Sequence, residues 1–178
     1  MNYRKQITVI LALFSLVFLG FGIPKYIQKK MDKEIEKVFE TSTYSMQPIS
    51  VSKALNEQLP TKITNENFFK VKQGNTLLGY AFVDQASSKT AKFDYLVVFN
   101  PKLEIIHSKV LIYREEYGGE IGSRRWLEQF LGKSGNDRVS HESNIDGISG
   151  ATISVRSMTN AVDDLLQTIG KLKANKVL

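Results

Sequence analysis

Residues 7–23, ITVILALFSLVFLGFGI, run without a charge and carry only Thr8 and Ser15 as mild polar groups. A stretch that is apolar on every side cannot form the surface of a water-soluble domain, so the chain divides here into an apolar segment and whatever folds after it. At about 1.5 Å per residue the run sits at the short end of what spans a bilayer. Arg4 and Lys5 precede it, and Pro24, Lys25, Lys29 and Lys30 follow. A basic N-terminus also fits a cleaved signal peptide. The apolar stretch is long for one, however, and its exit, GFGIPKYI, offers no small-x-small cleavage site. An uncleaved single-pass anchor is the favoured reading. It gives three parts: residues 1–30 as anchor, 31–66 as stalk and short helices, and 67–178 as the folded domain. Counted locally, the lysines after the span would leave that domain in the cytoplasm. The rule is weak for long following domains, and Lys25, Lys29, Lys30 and Lys33 can instead lie against anionic headgroups.

What remains is enough for one domain of ordinary size. Cysteine is absent, which excludes disulfides, thiolate metal sites and cysteine nucleophiles. Two histidines, His107 and His141, leave little room for a histidine-rich metal centre. The net charge of +6 is spread along the chain, so no nucleic-acid partner is expected.

Hydrophobic periodicity sketches the domain. In MDKEIEKVFE, residues 31–40, Ile35, Val38 and Phe39 share a helical face and suggest a short stalk helix. TSTYSMQPIS reads as a polar connector, and SKALNEQL, residues 52–59, as a helix stopped by Pro60. Phe68–Lys72 and Thr76–Val83 flank a Gly74-Asn75 hairpin turn. A polar loop, DQASSKTAK, leads to Phe93–Phe99, where Phe93, Tyr95, Val97 and Phe99 alternate with Asp94, Leu96 and Val98. A turn at Asn100-Pro101-Lys102 then opens the β-branched stretch Leu103–Tyr113. These four strands predict a mostly antiparallel sheet with one face on a core. Ser123 can cap a short helix in which Trp126, Leu127, Phe130 and Leu131 share a face, ending at Gly132. A last helix from about Ala151 to Lys173 places Met158, Val162, Leu165, Ile169 and Leu172 on one stripe, which must be buried. The fold class is therefore α+β, with helices packed on an antiparallel sheet behind an N-terminal transmembrane helix.

One segment carries chemistry. Asp146-Gly147-Ile148-Ser149-Gly150-Ala151-Thr152-Ile153-Ser154 is a glycine turn feeding a helix N-terminus. Ser149 or Thr152 can accept from the unpaired N–H groups of the first turn. Such an end also seats anions, phosphate above all. Plain capping is the competing role, since capped helices after glycine turns are common.

Asp146-x-x-Ser149-Gly150-Ala151-Thr152 resembles the flavinylation motif of the FMN-binding domain family, which includes the C subunit of the sodium-pumping NADH–quinone oxidoreductase and the G subunit of the Rnf complex. The stretch Tyr113-Arg114-Glu115-Glu116-Tyr117-Gly118-Gly119-Glu120-Ile121-Gly122 is similar to that family's glycine-containing loop. Trp126 to Lys133 is similar to its QF-Gly-Lys helix. Where the two named subunits have a Glu-Thr-Pro-Gly loop, this chain has Glu-Glu-Tyr-Gly-Gly, so membership of either complex does not follow. The resemblance implies FMN joined through its phosphate to the Thr152 hydroxyl by a flavin transferase, with Asp146 recognised by that enzyme. It implies contacts to the cofactor from Ser149, Gly150, Ala151 and Ile153. Candidates to face the isoalloxazine ring are Tyr117, Gly118, Gly119 and Glu120. For Tyr117 and Trp126, ordinary core packing is the alternative. Arg114, Glu115 and Glu116 can form a solvated strand end or a salt-bridged corner. Arg124-Arg125 fits a solvated helix start better than a phosphate clamp.

The function so implied is a membrane-anchored electron-transfer flavoprotein with no substrate-converting site of its own. It would pass electrons between membrane-bound redox proteins, and the family's transferases place the domain on the extracytoplasmic side. The alternatives are a cofactor-free binding or assembly module of the same fold and a flavin reductase with its own acceptor. A hydrolase built on Ser149 or Thr152 would lack a histidine or lysine base at recognisable spacing.

Overall fold

The computed structural model describes residues 22–178. Most of the apolar run at 7–23 lies outside the described residues, and no helix among them is long and apolar enough to cross a membrane. The elements are α1 (Lys25–Phe39), β1 (Ser45–Pro48), α2 (Lys53–Glu57), β2 (Phe68–Gln73), β3 (Thr76–Ser87), β4 (Lys92–Phe99), β5 (Ile105–Ile112), α3 (Arg124–Leu127) and α4 (Thr152–Ala174). Short 3₁₀ turns at Gly119–Gly122 and Glu128–Phe130 flank α3.

The sheet is a five-stranded antiparallel meander in the order β1-β2-β3-β4-β5. The segment expected as a polar connector contains β1, which pairs Met46 with Val71 at the sheet edge. Its side chains are almost all exposed, so it carries no apolar alternation to mark it. The expected polar loop is likewise shorter. β3 continues to Ser87 and pairs it with Lys92, leaving a turn at 88–91.

The period-2 pattern of β4 has a different meaning from the expected half-buried strand. Phe93, Tyr95, Val97 and Phe99 enter one core, and Leu96 and Val98 enter a second on the opposite face. β4 is buried on both faces because α1 lays Ile27, Met31 and Ile35 across the back of the sheet. The helix expected as a stalk is thus the third layer of the domain. Its lysines keep the apolar fraction low, but an apolar residue every fourth position suffices for docking.

The front face receives α4. All five residues of its expected stripe are buried, together with Val155 and Leu166. Near its far end the helix backbone touches a loop: a Cβ built on Gly170 would lie 2.6 Å from the Gly135 carbonyl oxygen. The short helix after Ser123 tightens into 3₁₀ after four residues, and Ser123 makes no side-chain capping bond. Leu131, expected on its buried face, is 42% exposed. Gly132 does end the segment, at φ +77°.

Candidate functional site

β5 runs out at Ile112, and the two residues after it face opposite ways, as strand alternation requires. Tyr113 turns to the front. Its hydroxyl donates to the Tyr117 carbonyl at 3.0 Å and lies 2.8 Å from the Ser154 hydroxyl. A phenol has one proton, already committed to Tyr117, so Ser154 is the donor in the second bond. Through this joint the loop 113–119 is held on the first turn of α4. Gly118 fits the joint because it adopts φ +86° and because a Cβ there would stand 2.6 Å from the Tyr113 hydroxyl. Arg114 turns to the back, where it pairs with Asp94, donates to the Lys92 carbonyl at 2.7 Å and faces Tyr26 of α1. Burial works against its charge, but the Asp94 carboxylate and the Tyr26 hydroxyl together raise its pKa. This is the salt-bridged corner, not the solvated strand end.

Glu115 fixes the loop from a third direction. One carboxylate oxygen accepts from the N–H groups of Thr90 and Ala91 and from the hydroxyls of Ser88 and Thr90, at 2.6–3.0 Å. Those donors, the Thr90 amide first, hold its pKa down at about 2. Neither Tyr113 nor Glu115 is marked by sequence as a positioning residue, since their partners lie 41 and up to 27 positions away.

The motif loop is pinned at its start. The Asp146 N–H donates to the Gln129 side chain, and its carbonyl accepts from the Trp126 indole, both at 2.8 Å. Trp126 is buried in the core, as its packing alternative requires. The Asp146 side chain is left exposed. A cleft of about 310 Å³ opens beside it, lined by Glu120, Ser123, Arg125, Trp126, Asp146 and Ile148 among others. At the loop's other end Gly150 takes φ +82°, which turns the chain into α4.

The capping role expected of Ser149 or Thr152 is not what the structure shows. Ala151 occupies the N-cap and no side chain caps the helix. Alanine has no oxygen to offer, so the N–H groups of Thr152, Ile153 and Ser154 are left for another acceptor. The Ser154 hydroxyl, close enough in sequence to compete, is turned onto Tyr113 instead. Thr152 itself is exposed, as are Ser149, Glu120 and Gly119. Arg156 lies one turn beyond Thr152 on the same helix side, and its Nε donates to His141 Nε2 at 3.2 Å. The core-packing alternative for Tyr117 fails: it is 81% exposed, and Ile153 is 51% exposed. Ile153 adjoins Thr152 in the chain, and the Tyr117 carbonyl shares the Tyr113 hydroxyl with Ser154.

The remaining sequence candidates are structural or solvated. His107 lies 3.0 Å from Glu34, which fastens β5 to α1, and burial lowers its pKa. Arg124 is exposed and reaches only Glu128, 2.7 Å away, in the solvated-start role. Asp163 on α4 accepts three hydrogen bonds from two guanidinium nitrogens of Arg138 and one from the Val139 N–H, tying down the chain that leads to the motif. Arg138, followed by burial working the other way, lowers the pKa of Asp163. Among the described residues no cluster of three His, Asp or Glu could hold a metal.

The residues present fit a flavin phosphate. They offer an exposed hydroxyl at the first helical position, uncapped N–H donors beside it, a nearby cation and exposed apolar side chains for a ring. No curated protein matches the chain in sequence. Residues 89–167 match the family model of the FMN-binding domain. The matched stretch runs from the β3–β4 turn through both β4 and β5, the Tyr113 joint and the motif, and into α4. That match supports an FMN-binding domain within residues 89–167 of the chain.

Proposed function

We propose that this protein is a membrane-anchored electron-transfer flavoprotein carrying FMN on Thr152 through a phosphoester bond. The observation that carries the reading is the start of α4. A helix of 23 residues begins with alanine at its N-cap and threonine next, so the first-turn donors surround an exposed hydroxyl rather than a capping oxygen. A phosphodiester at that oxygen keeps one negative charge, which the N–H groups of Ile153 and Ser154 and the helix dipole stabilise. Arg156, one turn away, adds a positive charge on the same side.

The other residues divide the work. Gly150 sets the turn that leaves Ser149 and Thr152 exposed to the phosphate, whereas Ala151, expected as a contact, is buried with its N–H donated to the Ile148 carbonyl. Tyr117 and Ile153 offer apolar contact for the ring, with Gly118, Gly119 and Glu120 supplying backbone and carboxylate contacts from the loop. Asp146, held by its backbone and free at its carboxylate, is presented to a flavin transferase. Bound there, FMN would supply one- and two-electron redox chemistry, while the protein sets its potential and access. The anchor is residues 7–23, with the domain extracytoplasmic and the redox partners in the same membrane. Residues 31–66 then belong with the domain in packing, although they precede the matched stretch.

Co-expression of the full chain with a flavin transferase tests this. The expected product is a band fluorescent on a denaturing gel, with a mass increased by one FMN less one water. Absence of both would favour the cofactor-free module. Steady turnover of a soluble electron donor by the purified protein would favour a flavin reductase.

A further inference from the structure

Five large apolar side chains are more than a third exposed among the described residues, and the three most exposed are Tyr117 at 81%, Tyr26 at 55% and Ile153 at 51%. These three come from different elements: the loop after β5, the first turn of α1 and the first turn of α4. The joint at the end of β5 brings them to one end of the sheet. Tyr113 reaches Ser154, next to Ile153, and Arg114 pairs with Asp94 on the face of the sheet that α1 covers. The β3–β4 turn closes the same end, because Glu115 binds it through Ser88, Thr90 and Ala91.

The lysines at this end make no close ion pair among the described residues. Lys25, Lys29, Lys89 and Lys92 are exposed, and no lysine takes part in an ion pair among the described residues. Of the nearby acids, Glu115 is committed to the turn and Asp94 to Arg114, and half-buried Asp84 lies near Lys92, which leaves Glu116, Glu120 and Asp146 in solvent against the four lysines. Exposed tyrosines beside unpaired lysines are the composition of a surface that meets lipid headgroups, where an aromatic ring sits at the apolar boundary and a cation at the phosphates. The chain supplies the geometry too. The apolar run at 7–23 ends two residues before Lys25, and Ile23 packs on the back core, so the described chain enters the domain at this end.

We infer that the end of the sheet bearing Tyr26, Tyr117 and Thr152 rests on an anionic lipid bilayer, so that the Thr152 hydroxyl is held at the headgroup layer. This rests on the anchor reading of residues 7–23 but not on flavin attachment. The partner is the bilayer itself. Thr152 then faces redox partners embedded in the membrane, and the opposite end, with the Gly74 and Lys102 turns, faces water.

The chain has no cysteine, which makes the test direct. Single cysteines placed by Tyr117→Cys, Lys89→Cys, Lys102→Cys and Asn136→Cys are labelled with an environment-sensitive fluorophore. The full chain is reconstituted in phosphatidylcholine vesicles with and without phosphatidylglycerol, and a headgroup nitroxide lipid is the quencher. Labels at 117 and 89 should be quenched several-fold more than those at 102 and 136. Lys89→Glu with Lys92→Glu should reduce quenching at 117 by about twofold in the anionic vesicles. Equal quenching at both ends overturns the inference while leaving the anchor intact. Quenching at 117 indifferent to phosphatidylglycerol also overturns it, and would assign the surface to an acidic protein. Failure of the chain to float with vesicles would overturn both the anchor and this inference.

Discussion

The two ends of α4 are built for different purposes. At the far end the helix presses Gly170 onto Gly135, backbone against backbone, with Ile169 and Leu172 fully buried. At the near end it opens without a cap, with Thr152 and Ile153 in solvent and Ser154 bonded sideways to Tyr113. The first end is close-packed, and a methylene more or less is felt there. The second has little to lose by substitution and much to offer a ligand. Stability is concentrated in one part of the helix so that the other can be left exposed, which is why the turn that presents Thr152 needs three outside supports: Tyr113, Glu115 and the Trp126–Asp146 bond.

That contrast can be broken by substitution. Leu165→Ala, in the buried middle, should cost about 3 kcal/mol. In a domain of this size, that lowers the thermal midpoint by about 6–12 °C, as calorimetry would read. Gly170→Ala pushes a methyl into the Gly135 carbonyl and should cost about 1–3 kcal/mol. Neither change touches the site, so any protein that folds should still take up flavin. Gly118→Ala combines a disfavoured φ with a close approach to Tyr113 and should cost about 1–2 kcal/mol, with a disproportionate loss of flavin incorporation because the loop shifts. Tyr117→Ala should change stability by under about 0.5 kcal/mol while altering the absorption spectrum of the bound flavin.

The smallest effect is that of pH. Glu115 has a folded-state pKa held near 2, below its ordinary value of 4.5. Its contribution is therefore complete above the unfolded value and is lost as pH falls through the window between the two. The group is only half-buried and its bonds are partly screened, so only a small decline should appear, and Glu115→Gln should remove that part of it. Denaturant midpoints measured at neutral pH and across that window would show the difference.

The same contrast explains what is readable in the sequence. The buried stripe of α4 is a local pattern with helical spacing, and the motif at its start is a contiguous string, so residue order alone reveals both. The second core is not legible in this way. Leu96 and Val98 resemble the alternate residues of a half-exposed strand, because the helix that covers them lies far upstream behind a screen of lysines. β1 is hidden by its exposure at the sheet edge. A capping role for Ser149 follows from residue type, yet the backbone places Ala151 at the cap instead. The supports of the site, at Tyr113, Glu115 and Asp163, are single long-range hydrogen-bonding groups with no period to betray them.

The central claim concerns one oxygen. Trypsin should release residues 139–156 as a single peptide, which holds Thr152 together with Ser140, Ser143, Ser149 and Ser154. Fragmentation of that peptide, taken from cells containing a flavin transferase, should place FMN on Thr152. A Thr152→Val chain should yield the bare peptide from a domain that still unfolds at the normal temperature. Flavin on one of the serines, flavin retained by Thr152→Val, or a bare wild-type peptide from those cells would contradict the account.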